Sequence, residues 1–313
     1  MKKPYLSVVL IVGSQRRRAE RALASLLAQE ALPEMEILLC DWEKTARPLP
    51  QAGHDAVRRF PVPVPATFTQ ARLQATHLAR GEAVAFIEEH AWVHPGWAAA
   101  LIAAFRSGDW AAVGSEIHNG NPGRGISDGV ALMNYLPWQP PAESGPVSML
   151  AGHNSAYRRS DLLSFGPDLG ELLQSEVLLH WQLSKQKKQL YLAAAARISH
   201  INEGSLTAIG RGYFLWNRCF GSSRARLYHF SVWQRLARTL AIPLVPFVRA
   251  AKMAVYICHH DRSRISTYFR YFPVLILAWS AAACGQSLGF LLGAGQAEAA
   301  FSEYELTIQR PEE

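Results

Sequence analysis

"ARLQATHLARGEAVAFIEEH" (residues 71–90) ends in two carboxylates and an imidazole, directly after a short apolar run. The segment from Thr69 to Leu78 favours a helix, and "EAVAFI" (82–87) predicts a buried strand. The same order occurs earlier in the chain, where "LSVVLIV" (6–12) precedes a helical pattern and "MEILLC" (35–40) predicts another buried strand. Strands that are apolar throughout and alternate with helices predict a mostly parallel sheet covered on both faces, an α/β fold.

The polar residues that follow these strands are the candidate ligands of a binding site, because ligands of such sheets bind outside the carboxyl ends of the strands. They are Gly13 to Arg17, Asp41, and Glu88 to His90. In the last of these three groups, Glu88 and His90 can point toward one ligand while Glu89, between them, faces elsewhere. A carboxylate and an imidazole suit Mn²⁺ and, less well, Mg²⁺. The alternative is that the acidic strand end only favours the start of the next helix near Pro95.

Composition excludes a disordered or fibrous protein. The chain has 313 residues, of which 49% are hydrophobic and 18% charged, enough for one large domain or one domain with an appendage. The four cysteines form no C-x-x-C pair and no recognisable disulfide framework, which favours a reducing compartment. The apolar start lacks a small-residue cleavage site, so it predicts a first strand, with a signal peptide as the alternative.

The net charge of +7 is concentrated in the C-terminal third. Between Ser205 and Phe272 there are eleven Lys and Arg residues and one acid, Asp261, interleaved with aromatic residues. Such a surface suits either nucleic acid phosphates or an anionic bilayer. The stretch that follows, "FPVLILAWSAAACGQSLGFLLG" (272–293), carries no charge and has the length that a helix needs to cross a bilayer. A membrane is therefore the expected partner, and nucleic acid is not.

Three glycines at four-residue spacing, Gly285, Gly289 and Gly293, are expected on one helix face that another helix approaches closely. The alternative interpretation of this stretch is a buried C-terminal helix of a soluble oligomer. The earlier "LAIPLVPFV" (240–248) is too short to span and is interrupted by two prolines. It suits an interfacial or re-entrant segment.

The motifs together resemble the family 2 glycosyltransferases, enzymes of the GT-A type. "LSVVLIV" with "RALASLLAQ" looks like the opening strand and helix of that family, and "EILLCD" resembles its second strand. The stretch from residue 71 is similar to the family pattern A-R-N-x-G-x-x-x-A-R-G-E, an apolar strand, and D-D-D, although Leu73 and Ala75 depart from it. Glu88 and His90 stand where the family has the two aspartates of Asp-x-Asp.

Three later stretches extend the resemblance to roughly residue 205. "AGHNSAYRRSDLL" (151–163) resembles the G-x-N-x-A-x-R-R stretch, "LLQSEVLLHWQL" (172–183) the segment that normally carries Glu-Asp, and "ARISHIN" (196–202) a strand that ends in histidine. Ser175 and Gln182 depart from the family pattern. The tail resembles a membrane-associated branch of the family in which Glu-x-His replaces Asp-x-Asp.

The resemblance implies an inverting transfer, in which an acceptor hydroxyl displaces the diphosphate of a nucleotide sugar. It makes Glu176 the general base and Asp41 the acceptor of a hydrogen bond from uracil. The remaining implied roles concern the diphosphate, the metal and the acceptor side: nucleotide binding by Arg72, Arg80 and Glu88; a Mn²⁺ or Mg²⁺ site of His90, Glu88 and His200; and the acceptor or phosphate side at His153, Asn154 and Arg158.

We therefore expect a GT-A domain at 1–210, a membrane-associated helical region at 211–297 and an acidic tail at 298–313 that lies outside the core. The expected reaction moves a sugar from a nucleotide diphosphate donor, with UDP as the expected nucleotide, to a saccharide or lipid-linked acceptor in cell-envelope or exopolysaccharide synthesis. The expected location is the cytoplasmic face of the inner (plasma) membrane, with a homo-oligomer as one possibility. Two alternatives remain, an inactive transferase-like scaffold in a polysaccharide assembly complex and a nucleic-acid-binding module.

Overall fold

The computed structural model describes residues 3–42, 49–62 and 67–311. It divides into two compact units, the first comprising Met1–Gly120 with Pro137–His200 and the second Asn121–Leu136 with Ile201–Glu313. The predicted domain boundary at residue 210 stays a prediction, since compact units defined by contacts are not the same as domains that fold alone.

The strands all belong to the first unit. They are β1 (Leu6–Val12), β2 (Met35–Asp41), β3 (Val57–Arg59), β4 (Ala83–Glu88), β5 (Ala91–Val93), β6 (Trp110–Asn119), β7 (Gly145–Val147), β8 (Ser155–Arg158) and β9 (Gln189–His200). The helices are α1 (Arg16–Leu27), α2 (Phe68–Leu78), α3 (Trp97–Ser107), α4 (Ser127–Tyr135), α5 (Arg159–Leu163), α6 (Leu169–Gln174), α7 (Glu176–Lys185), α8 (Leu206–Leu227), α9 (Val232–Ala241), α10 (Val245–His260), α11 (Ile265–Leu292) and α12 (Ala297–Thr307). Among the helices, α4 and α8 to α12 fall in the second unit.

The nine strands of the described residues form one sheet in the order β3-β2-β1-β4-β8-β6-β9-β5, with β7 added to β9. The first four strands in this order are parallel, as the apolar runs predict. β8 then pairs antiparallel with both β4 and β6, and β5 and β7 pair antiparallel with β9. The sheet is therefore mixed, and the predicted parallel arrangement holds for the half that contains β1 and β4.

Helix α1 covers one face of this sheet with the residues that its periodicity predicts. Of the five apolar residues predicted on this face, four are fully buried (Ala19, Ala22, Leu23 and Leu26) and Leu27 is partly buried. Arg18 is buried with them and donates two hydrogen bonds, of 2.9 and 2.6 Å, to Oε1 of Glu89. Because this pair joins α1 to the residue after β4, it fixes the helix against the carboxyl end of the central strand.

In the second unit, α11 packs along α8 through glycines. A Cβ atom added to Gly285 would lie 2.1 Å from the carbonyl oxygen of Phe214, and one added to Gly289 would lie 2.2 Å from that of Arg218. The predicted glycine face is confirmed for these two residues, and the helix that approaches it belongs to the same chain. Gly293 lies just beyond the end of α11 with φ 76°. Two described segments, Val232–His260 and Arg262–Leu292, are long and apolar enough to cross a membrane by length and composition.

The C-terminal segment does not lie outside the core, contrary to the sequence expectation. Tyr304 is buried and donates a 2.7 Å hydrogen bond to the carbonyl oxygen of Ala208 in α8. Arg310 is also buried, and its guanidinium contacts Glu305 at 2.6 Å and Glu203 at 3.3 Å. Glu305 of the tail thus takes part in a buried ion-pair network, which the sequence pattern alone does not reveal.

Candidate active site

The carboxylate of Glu88, the last residue of β4, is the centre of a cluster of imidazoles. Its Oε2 atom lies 3.1 Å from Nε2 of His200 and 3.5 Å from Nε2 of His90. Nε2 of His153 is 3.7 Å from the same oxygen, and Nδ2 of Asn154 donates to it at 3.3 Å. Five side chains that the sequence separates by up to 112 residues therefore meet at one atom.

Three chain segments deliver these side chains to the carboxyl edge of the sheet. Glu88 sits beside the end of β1, in register with Ile11. His200 ends β9, and its antiparallel pairing with Ala91 of β5 brings it next to the turn that carries His90. His153 and Asn154 come from a short 3-10 turn that precedes β8. The predicted metal ligands Glu88, His90 and His200 are thus brought together.

Glu89, between the two predicted ligands, points into the first unit. Its Oε2 atom accepts a 2.7 Å hydrogen bond from the backbone N–H of Gly13, and its Oε1 atom accepts the two bonds from Arg18. Since both members of this ion pair are only 2% exposed, Glu89 serves the architecture of the strand end. The expectation that the middle residue faces elsewhere is confirmed.

The environment keeps Glu88 ionised. Burial alone raises the pKa of this carboxyl, but the nearby imidazoles of His153, His90 and His200 act in the opposite direction and prevail. The pKa of Glu88 is therefore held well below its usual range. Glu88 is accordingly a carboxylate at neutral pH, the form that binds a cation.

The donor set fits a divalent transition metal. One ligand atom each from Glu88, His90 and His200 lies within 4.8 Å of the others, and within the described ranges this is the one group of three such side chains with that geometry. Two imidazole nitrogens and a carboxylate oxygen suit Mn²⁺ better than Mg²⁺, which prefers oxygen ligands. The fully buried Asn154 adds an amide whose Oδ1 atom makes no hydrogen bond to any described residue.

Glu176, the predicted base, starts α7 beside the same 3-10 turn. A Cβ atom added to Gly152 would lie 2.0 Å from Cβ of Glu176, so only glycine permits this approach. Nη1 of Arg72 donates a 2.7 Å hydrogen bond to Oε1 of Glu176, whereas Oε2 receives none from the described part of the chain. Arg72 thus orients the carboxylate and leaves one oxygen able to accept a proton.

Asp41 ends β2 in register with Val12 of β1. It therefore lies at the same sheet edge as Glu88, two strand spacings or about 10 Å away. Both of its carboxylate oxygens accept hydrogen bonds from Arg16, at 2.8 and 2.7 Å. Trp42 follows it and stacks on Phe68 with ring centroids 5.6 Å apart. The sequence reasoning missed this aromatic pair, for which an aromatic residue directly after a strand-end acid was the available signal.

Two of the predicted site residues are not brought to this edge. Arg158 pairs with Ala83, the first residue of β4, and its guanidinium donates to the carbonyl oxygens of Trp110 and Gly108. Arg80 is exposed and precedes the same strand end. A six-residue strand separates that end from Glu88, a distance of roughly 17 Å at 3.3 Å per residue. The cluster around Glu88 therefore forms without either arginine.

A buried hydrogen-bonded pair, Tyr157 and His180, lies under the turn and was also missed. The Tyr157 hydroxyl contacts Nε2 of His180 at 2.9 Å and donates to the carbonyl oxygen of Gly152 at 3.3 Å. Burial lowers the pKa of His180 to about 4, although the negative charge of Glu176 acts to raise it. A neutral His180 with its proton on Nε2 completes this chain of bonds, which connects α7, β8 and the turn of His153.

Comparison with known families identifies the N-terminal half of the chain. A family model described as Glycosyl transferase family 2 matches residues 7–164. This range contains Asp41, Arg72, Glu88, His90 and Asn154, but it ends before Glu176 and His200. A search of curated proteins found no match.

Solved structures share the fold at low sequence identity. The mannosyltransferase PcManGT from Pyrobaculum calidifontis, in complex with GDP-Man and Mn²⁺, is similar with a TM-score of 0.57 and 12% identity, over 93% of this chain and 88% of that chain. A crystal structure of GalNAc-T7 with UDP, GalNAc and Mn²⁺ has a TM-score of 0.47 and 15% identity, over 63% of this chain and 43% of that chain. The chain thus spans less than half the length of the second structure. The first likeness confirms the predicted GT-A fold.

Proposed function

We propose that this chain, which belongs to glycosyl transferase family 2, is an inverting transferase that moves a sugar from a UDP-linked donor to an acceptor hydroxyl. The observation that carries the proposal is the cluster at Glu88. An ionised carboxylate, three imidazoles and an amide converge at the carboxyl end of a central strand, where α/β sheets bind nucleotides.

The first task of the site is to hold the diphosphate. A Mn²⁺ ion bound by Glu88, His90 and His200 would neutralise the charge that develops on the departing diphosphate. His153 and Asn154 reach the same carboxylate oxygen from the 3-10 turn and are placed to contact phosphate oxygens. Arg80 and Arg158 have no part in this assignment, because they lie at the opposite end of β4.

The second task is to activate the acceptor. The acceptor oxygen forms its bond to the anomeric carbon while the bond from that carbon to the diphosphate oxygen breaks. Glu176 takes the acceptor proton on Oε2, since Arg72 holds Oε1. The Arg72 guanidinium therefore positions the base, a different role from the diphosphate contact that the family resemblance implies.

In this proposal the nucleobase of the donor binds at the end of β2, beside Asp41. Asp41 is already paired with Arg16, so the pair offers uracil donor groups as well as carboxylate oxygens. The stacked rings of Trp42 and Phe68 give an adjacent flat apolar surface. We assign the saccharide or lipid-linked acceptor, a role in cell-envelope or exopolysaccharide synthesis and a location at the cytoplasmic face of the plasma membrane from the basic and apolar C-terminal region.

Calorimetric titration with UDP tests the binding half of this proposal. The parent should bind UDP in the presence of Mn²⁺, more weakly with Mg²⁺, and better than GDP. His90→Ala should lose the metal-dependent part of the binding. His118→Ala is a matched control, because His118 is a partly buried histidine of the same unit that pairs with Glu116 at 2.9 Å. Equal UDP binding by the parent and His90→Ala would overturn the metal assignment.

Single-turnover hydrolysis or transfer of UDP-sugars tests the chemical half. Glu176→Gln keeps the shape of the side chain but cannot accept a proton, so turnover should fall by about 10²- to 10⁴-fold with UDP affinity unchanged. A parent that binds UDP with Mn²⁺ but turns over no donor would favour the alternative, a transferase-like scaffold.

A further inference from the structure

Helix α9 has its apolar side exposed, which is the reverse of the usual arrangement for an amphipathic helix. None of its residues is buried. Trp233 is 79% exposed and Leu240 is 81% exposed, and Val232 and Leu236 lie on the same stripe. The exposed apolar residues continue at helical spacing through Leu244, Phe247, Val248 and Val255. We call this set, from Val232 to Val255, the apolar ridge.

The polar side of α9 faces its own unit. Nε of Arg235 donates to the carbonyl oxygen of Phe230 at 3.0 Å, and Nη1 donates to that of Phe290 at 3.4 Å. The guanidinium of Arg238 lies 4.2 Å from the centre of the Phe230 ring. Because these contacts fix which side of the helix packs on the protein, the exposure of the ridge is built into the fold.

The charge around the ridge indicates what covers it. Residues 231–272 contain seven Lys and Arg residues and one acid, Asp261, whose carboxylate is paired with Arg264 at 2.7 Å. A second copy of the chain would bring like charges together at this surface. An anionic bilayer offers both the opposite charge and an apolar layer, and tryptophan beside basic residues is typical of helices at that interface.

Helix α11, by contrast, is prevented from crossing the bilayer by its partner. It packs backbone to backbone on α8 through Gly285 and Gly289. Arg218 of α8 donates to the carbonyl oxygen of Gly293, at the end of α11. Helix α8 also carries Arg211, less than one turn before Phe214. If α11 crossed the membrane, Arg211 and Arg218 would have to enter the hydrocarbon beside it, and charged side chains there are strongly disfavoured.

We infer that this chain is a monotopic membrane protein: the apolar ridge lies in one leaflet of an anionic membrane, and α11 is a core helix that does not span. This inference deepens the proposed membrane location of the transferase. It predicts that both ends of the chain lie on the same face of the membrane, whereas a spanning α11 would separate them.

Vesicle binding tests the ridge. The full chain should bind phosphatidylcholine vesicles that contain phosphatidylglycerol more tightly than pure phosphatidylcholine, and salt should reduce the difference. Changing both Trp233 and Leu240 to Asp should weaken binding by about a hundredfold, because two buried apolar anchors are lost. Leu206→Asp is the matched control, since Leu206 is 50% exposed at the start of α8, and its binding should equal that of the parent.

The contribution of the positive charges beside the apolar ridge to vesicle binding is tested separately. Arg238→Gln with Lys252→Gln should reduce binding to the anionic vesicles by about fivefold per charge and leave binding to neutral vesicles unchanged. Equal binding to both kinds of vesicle by the parent would overturn the anionic assignment. Vesicle binding that the Trp233 and Leu240 changes do not weaken would overturn the ridge as the attachment surface.

Topology decides between lying on and crossing the membrane. Tags at the two ends of the chain, probed by protease in sealed vesicles, should be cut or protected together. Opposite protection would overturn the inference in favour of a spanning α11. Failure to bind any vesicle, with a dimer mass by light scattering that the Trp233 and Leu240 changes abolish, would overturn it in favour of a second copy. UDP titration without vesicles reports on the proposed function independently, so either result can fail alone.

Discussion

Helices α1 and α9 have similar lengths and similar amphipathic patterns, but they use their apolar sides in opposite ways. In α1, Leu23 and Leu26 are fully buried against the sheet, whereas in α9 Trp233 and Leu240 are about four-fifths exposed. The arginines differ in the same sense, since Arg18 of α1 is buried with Glu89 and Arg238 of α9 is exposed. A hydrophobic pattern therefore predicts a helix and its apolar face, but not whether the chain itself supplies the surface that covers that face.

The largest expected change in stability comes from replacing the buried arginine of α1, and the exposed arginine of α9 serves for comparison. Arg18→Met should destabilise the protein by about 4 kcal/mol, because it leaves the Glu89 carboxylate buried without a charge partner. Arg238→Met, its counterpart on α9, should change the free energy of unfolding by at most about 1 kcal/mol, because its contact with the Phe230 ring is exposed to water. Denaturant unfolding monitored by circular dichroism checks both values. Similar losses of stability for the two variants would mean that the arginines of α1 and α9 contribute equally to folding.

A smaller change in stability is expected when the leucines of α1 and α9 are shortened to alanine. Leu23→Ala should cost about 3 kcal/mol, from lost burial and the cavity that remains. Leu240→Ala should leave the free energy of unfolding within about 0.5 kcal/mol of the parent. Thermal unfolding in vesicle-free buffer gives the measurement. A large loss for Leu240→Ala would mean that the ridge is covered by the protein in solution.

The pH dependence of the free energy of unfolding tests whether a histidine buried in the first unit carries an electrostatic cost that a histidine on an exposed helix lacks. His180 has a folded-state pKa of about 4, so below the ordinary value near 6.5 the unfolded chain binds a proton that the folded chain does not. The stability that neutral His180 provides is complete above that value and is lost as the pH falls toward 4. Between pH 7 and pH 5 the free energy of unfolding should fall by about 2 kcal/mol from this group.

His180→Gln isolates this contribution, because the pH-dependent loss should shrink by that amount in the variant. His260→Gln, at the exposed end of α10, is the control and should keep the parental slope. Guanidinium titrations at the two pH values supply the data, and parallel slopes for the parent and His180→Gln would contradict the assignment.

The smallest expected effect concerns helix caps. Ser231 and Gln234 form a capping box at the start of α9, as Thr67 and Gln70 do at the start of α2. Since α9 buries no residue, the cap is a large part of what holds it, and Ser231→Ala should lower its local stability by about 1 kcal/mol. Hydrogen exchange of the α9 amides measures this change. In Thr67→Ala those amides should exchange as in the parent, and unchanged exchange in Ser231→Ala would show that the cap does not limit opening.

Much of the first unit is predictable from local pattern. The apolar runs of β1, β2 and β4 and the stretch from Thr69 to Leu78 predict these strands and α2 within one residue, and the apolar spacing predicts the presence of α1. The rule that ligands bind beyond the carboxyl ends of strands then selects Asp41 and Glu88. The antiparallel half of the sheet is not predictable in this way, because short strands such as β5 and β8 carry no clear periodicity and are defined by their partners.

The site residues also differ in how far the sequence predicts their positions. Glu88 and His90 are adjacent in the sequence, so their proximity follows from one turn, whereas His200 reaches them only through the pairing of β9 with β5. Arg72 and Arg80 belong to one motif, yet the structure pairs Arg72 with Glu176 and leaves Arg80 beyond the far end of β4. Motif spacing records order along the chain, and a helix followed by a strand can carry two nearby residues to opposite edges of a sheet.

Local patterns in the amino-acid sequence are enough to predict the periodic elements, the acidic end of β4 and the basic, apolar character of the C-terminal third. The folded chain alone shows that three imidazoles meet at Glu88, that Arg72 orients Glu176, and that α11 packs on α8 while the apolar side of α9 is exposed. The physical reason is that periodicity depends on neighbours within a few residues, whereas hydrogen bonds, ion pairs and burial depend on distances through space between segments that the sequence keeps far apart.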